Sequence, residues 1–220
     1  MKLPSPTWRV LLLLSAILAS QGGRLHPEAD AAEPMRAELA TMTASETWVP
    51  AHLLLLASVT LLAVGLWMAR THPAFSGVRR SLQVAAVAVS LYAVEAVAHL
   101  AAVLDSHALA HGEDAPVAMT HVVLAVVLYP VSGLAIAWLS LDLGRHWSGL
   151  RRWVVVPGVL GGLIHALTVP ATLALPDAEI SPFFAAAGIL IAVWSASLAL
   201  LAPTSETARP RELARDGVAA

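Results

Sequence analysis

Glu95 and His99 stand four residues apart inside an apolar run, Leu82–Leu104. At that spacing two side chains share one face of a helix. The run is long enough to cross a bilayer, and an ionisable group at bilayer depth costs ~2.5–3.5 kcal/mol on insertion scales. Such a group persists where it meets other protein groups, water or an ion, so the pair reads as a functional site. His165 falls near the middle of another apolar run, Trp153–Ala174.

Three chemistries fit these residues. The first is binding of a divalent metal or protons, for transport or sensing, because imidazole and carboxylate together suit zinc, iron, manganese or copper(II) and also carry protons. The expected ligands are Glu95, His99 and His165, with His121 and His52 at the rim of the site. The chain has no cysteine, which removes thiolate metal sites, iron–sulfur clusters and disulfides. Haem b is not the expected cofactor, since the paired histidines of a two-haem cytochrome are missing on one side. The second chemistry is acid–base. A carboxyl shielded from water could act as a general acid, or pass protons with His99 and His165, on a lipid-phase substrate such as an isoprenoid. Glu95, His99 and His165 would then be catalytic, but no histidine box, phosphate loop or nucleophile elbow accompanies them. The third is structural: a Glu–His contact that sets helix register, where polar contacts between membrane helices average about 0.6 kcal/mol.

The surrounding sequence supplies helices to position these groups. Of 220 residues, 58% are hydrophobic and 13% charged, against about 25% charged in soluble domains. The apolar residues fall in blocks near the ~20 needed to span ~30 Å of hydrocarbon. This pattern predicts an all-α integral membrane protein, and unbroken runs are not the alternating pattern of a β-barrel. Spans are expected at Trp8–Gln21, Pro50–Ala69, Leu82–Leu104, Ala118–Leu141, Trp153–Ala174 and Phe183–Leu201. Residues 1–203 form one transmembrane domain and 204–220 a polar, disordered cytoplasmic tail. The stretch Met35–Met42 suits a short surface helix.

Arginine placement sets orientation. With the N-terminus inside, Lys2, Arg9, Arg70, Arg79, Arg80, Arg145, Arg151, Arg152, Arg209, Arg211 and Arg215 fall inside, and only Arg24 and Arg36 outside. That is a positive-inside bias for an N-in/C-in chain. The first span is also compatible with a cleaved signal, because Lys2 and Arg9 precede the apolar Val10–Ser20. Ala29–Asp30–Ala31 resembles a cleavage motif, and removal would leave five spans; a retained anchor is the favoured expectation. Lys2 is the only lysine, a bias expected of a high-GC bacterial genome, so the location expected is a bacterial cytoplasmic membrane. The net charge of −2 offers no electrostatic footprint for nucleic acid. The partners implied are the bilayer and a metal ion or lipid-phase small molecule, and no oligomeric state is implied.

Mapped on this topology, two of the nine histidines, His72 and His146, lie inside. His26, His52, His99, His107, His111, His121 and His165 lie outside or in the membrane. The expected object is a polar funnel that opens outward, rimmed by His52 and His121, and ends at Glu95 and His165. His107 and His111, with Glu113 and Asp114, form a looser interfacial candidate. Asp142 reads as an ion-pair partner of Arg145 or Arg151, and Ser195 and Ser197 as helix-packing serines.

Overall fold

Leucine- and alanine-rich stretches punctuated by proline fold into helices wherever a computed structural model describes the chain, residues 7–28, 33–175 and 178–203. The helices are α1 (Thr7–Leu25), α2 (Met35–Ala44), α3 (Trp48–Ala69), α4 (Arg79–Ala101), α5 (Ser106–His111), α6 (Pro116–His146), α7 (Val155–Ala174) and α8 (Ser181–Leu201). Among the described residues there is no strand. Pro116 and Pro182 occupy the first turns of α6 and α8, where a missing N–H breaks no intrahelical bond. Pro130 and Pro170 lie inside α6 and α7, which continue through them. Ser181 is the first residue of α8, and its amide donates to Glu179 Oε1 at 3.1 Å.

Among the described residues, five helical segments are long and apolar enough to cross a membrane: Trp48–Ala69, Pro73–His111, Pro116–His146, Gly149–Ala174 and Ser181–Leu201. The chain is therefore compatible with a multi-pass membrane protein. α1 has 19 residues and falls outside this group because Arg9, Gln21 and Arg24 dilute its apolar run. It is nevertheless packed into the bundle. Trp8 and Leu12 are buried, and Ser195 Oγ of α8 donates to the Leu12 carbonyl at 2.9 Å. Ser58 Oγ of α3 donates to the Ser15 carbonyl at 2.8 Å. Ala29–Asp30–Ala31 and the tail 204–220 lie outside the described residues.

The six long helices close a ring. Each packs on its neighbours in the chain, and α8 returns to α1. Successive helices run up and down, so Arg24 and Arg36 lie toward one end, and Arg9, Arg70, Arg79, Arg80, Arg145, Arg151 and Arg152 gather at the other. There the main core joins Trp8, Leu66, Leu82, Leu139, Leu143 and Leu198, among others. At the opposite end a smaller cluster of Leu39, Trp48, Ala102, Leu109, Ala115 and Ala118 ties α2 and α5 over the ring. Arg36 of α2 reinforces it by donating to the carbonyls of Ala108, Leu109 and Glu113. Polar side chains lie between these two apolar layers.

Arg9 donates to the carbonyls of Ala199, Ala202 and Pro203 at the C-terminal end of α8. A cation there satisfies carbonyls that have no partner within their own helix and opposes the negative end of the dipole. Arg9→Gln is expected to destabilise the detergent-solubilised protein by about 1 kcal/mol, a hydrogen-bond value reduced for a half-exposed group. A thermal midpoint unchanged from the parent would show that α1 and α8 hold together without this clamp.

Candidate functional site

Local structure aims four histidines at one point. Asp105 Oδ2 accepts from the amides of Val117 and Ala118, at 2.6 and 3.0 Å, and so caps the start of α6. That bond fixes the turn bearing His121. Trp48 is fully buried at the start of α3 and donates from Nε1 to the Leu100 carbonyl at 3.3 Å. It thereby sets the start of α3 against the end of α4. The Trp48 ring lies 3.9 Å from that of His52. α4 presents Glu95 and His99 on one face, as their spacing requires. His26 follows the last turn of α1 and faces His52, with ring centroids 4.9 Å apart.

At the centre is the Glu95 carboxylate, with no exposed surface. His121 Nδ1 lies 2.6 Å from Glu95 Oε1, with the ring as donor. His99 Nδ1 lies 3.9 Å from the same oxygen, a contact longer than a hydrogen bond. The His99 and His121 rings stack at 3.9 Å with an interplanar angle of 21°. Glu95 Oε2 makes no hydrogen bond among the described residues. A buried carboxylate oxygen without a donor is costly, and a cation is one group that would satisfy it.

The outer half continues the same column. His99 Nε2 lies 3.2 Å from His52 Nε2. His52 Nδ1 sits 2.7 Å from the Trp48 carbonyl and His26 Nδ1 sits 2.9 Å from the Pro27 carbonyl. Since a carbonyl only accepts, each Nδ1 carries the proton and each Nε2 keeps its lone pair. Histidines that bind metals are oriented in this way by a partner on the other nitrogen. Burial lowers the pKa of the His26 imidazole from its usual value, while the Pro27 hydrogen bond works against that shift.

Two groups could accept a metal ion: Glu95, His99 and His121, and His26, His52 and His99. Within each, the ligand atoms lie within 4.8 Å of one another. The structure thus gathers Glu95, His99, His121 and His52. His165 lies in neither group. Its ring stacks on Tyr129 at 4.4 Å and 19°, and meets Tyr92 edge-on at 4.9 Å. Tyr92 and Tyr129 are themselves edge-to-face at 5.1 Å. His165 is therefore one turn of α4 nearer the arginine-rich end than Glu95, against tyrosines.

Two residues that build the column carry no periodic signal in the sequence. His26 lies in a polar segment beyond any span. Asp105 carried no motif, although an acid 11 residues before a proline-initiated helix is a possible side-chain cap. His107 and His111 stack on each other at 4.0 Å, with His111 Nδ1 bonded to the His107 carbonyl. Both are one turn of α5 and share no metal-type group with an acid among the described residues. At the other end, Asp142 accepts from Ser81 Oγ at 2.7 Å and faces Arg145 at 4.0 Å.

Chemically, the column is made of imidazoles and one carboxylate, groups that could hold a divalent ion. No family model matches this chain, and neither a curated protein nor a solved structure does.

Proposed function

We propose that the protein is a six-span, N-in/C-in component of a bacterial cytoplasmic membrane that binds a divalent transition metal at its outward end, for transport or sensing. The ring packing of α1 supports counting it as the sixth span. The arginine bias between the two ends supports the orientation. The observation that carries the metal reading is Glu95: fully buried, one oxygen on His121, the other without a donor, and His99 beside it. The residues fit a metal because carboxylate and neutral imidazole are the donors that zinc, iron, manganese and copper(II) accept. Bound there, the ion would supply the charge that compensates Glu95 in a dry layer.

The test is metal content. Protein purified in detergent and equilibrated with buffered zinc is expected to hold about one equivalent per chain. Glu95→Gln keeps the shape but removes the charged oxygen donor and the charge that orients His121, and should weaken zinc about 10–100-fold. A parent protein that stays metal-free at saturating zinc, cobalt and manganese would end the metal reading. A second reading, an intramembrane acid–base enzyme, is favoured by an open apolar groove of about 510 Å³. Leu56 and Thr60 of α3 and Ala93, Val94, Val97 and Ala98 of α4 line it, beside the turns of α4 that carry Glu95 but without Glu95 itself. A metal-free protein whose Glu95→Gln variant folds normally would move the assignment to that reading.

A further inference from the structure

His99 belongs to both metal-type groups, and through different nitrogens. Its Nε2 faces His52 at 3.2 Å, and its Nδ1 faces Glu95 Oε1 at 3.9 Å. A neutral imidazole has one N–H and one lone pair. It can therefore serve one side at a time. We propose that the protein holds one divalent ion in either of two adjacent positions, with His99 as the ligand common to both. The outer position is the all-imidazole set of His26, His52 and His99. The inner one is the carboxylate-bearing set of Glu95, His99 and His121. This rests on the metal reading above and adds a route: the ion is taken by imidazoles first and passed inward by exchange at His99.

Three observations favour the outer position as a built site. The nitrogens of His52 and His99 are 3.2 Å apart, close to the edge of about 3.3 Å that two nitrogens make on a tetrahedral zinc with 2.0–2.1 Å bonds. His26 and His52 each have Nδ1 tied to a backbone carbonyl, which turns Nε2 into the free donor. The rings come from the residue after α1, from α3 and from α4, which the Trp48 contacts bring together. Three imidazoles without an oxygen donor select zinc, copper(II), nickel or iron(II) over magnesium and calcium, which take oxygen ligands. The Glu95 oxygen at the inner position adds a negative charge, so the electrostatic gradient runs inward.

The experiment is a zinc titration of the full chain in detergent, with a competing chromophoric chelator. The parent, His26→Ala and Glu95→Gln are each expected to bind about one equivalent, because either position alone can accept the ion. The double variant His26→Ala/Glu95→Gln is expected to bind under about a tenth of an equivalent at the free zinc that saturates Glu95→Gln. Since each single variant must bind zinc, each is its own control for folding. A double variant that binds as well as Glu95→Gln alone would overturn the outer position. Two equivalents on the parent would overturn the shared ligand. No zinc on the parent at all would instead be the failure of the metal reading itself.

Discussion

Replacing His99 with alanine is expected to abolish bound zinc, lowering affinity at least about 100-fold, more than any other single substitution in the column. The reason is its double membership. Loss of His26 or Glu95 leaves three residues of the other group, whereas loss of His99 leaves His26 with His52 on one side and Glu95 with His121 on the other. Neither remnant holds three ligands. The fold should survive the change. The Glu95–His121 bond at 2.6 Å does not involve His99, and the Trp48 indole donates to the Leu100 backbone carbonyl, which the substitution leaves in place. Chelator competition measures the affinity, and the thermal midpoint of the zinc-free protein checks the fold. Zinc retained by His99→Ala at parental affinity would place the site elsewhere. A zinc-free midpoint lowered by many degrees would assign His99 a structural role.

How much of this column could be read in advance follows from what helical periodicity encodes. It fixes rotation within one helix, so Glu95 and His99 were legible as a shared face. It gives approximate depth, so His52 was legible toward the outer end of the column, whereas His121, expected at the rim, reaches inward to Glu95 Oε1 at 2.6 Å. It does not fix how one helix is rotated against the next. His165 falls near the middle of its run as Glu95 does, yet it sits one turn of α4 away from Glu95, where α7 turns it onto Tyr129 and Tyr92. His26 was obscured for a different reason. It lies past the end of α1 where no periodic signal runs, and only the pairing of α1 with α3 brings it to His52. The helical class was legible from run length alone. The place of α1 was less so, since Arg9, Gln21 and Arg24 weaken its hydropathy. Arg9 in turn is satisfied by the end of α8, a contact 190 residues away in the chain.

Gly133→Val is expected to be the most destabilising change outside the polar layer. α6 and α7 meet backbone to backbone at Gly133 and Gly162. A Cβ built on Gly133 would strike the Gly162 carbonyl and lie 2.7 Å from the Ala166 nitrogen. One built on Gly162 would lie 2.5 Å from the Gly133 carbonyl. Close approach through small residues is how membrane helices gain packing energy when no water drives them together. Overpacking in a core costs about 1–3 kcal/mol where side chains can yield. Here the neighbours are main-chain atoms, so the helices themselves must part, and the loss should reach or exceed the upper end. The separation would also carry Ala137, Ala166 and the adjoining His165 out of register. Gly188→Ala is the matched control. Gly188 is an exposed glycine inside α8 with nothing within 4 Å of its added Cβ. There alanine should stabilise by up to about 1 kcal/mol through helix propensity alone. Unfolding of both variants in mixed detergent micelles measures the difference. Equal stabilities for Gly133→Val and Gly188→Ala would mean that α6 and α7 do not approach as closely as this packing requires.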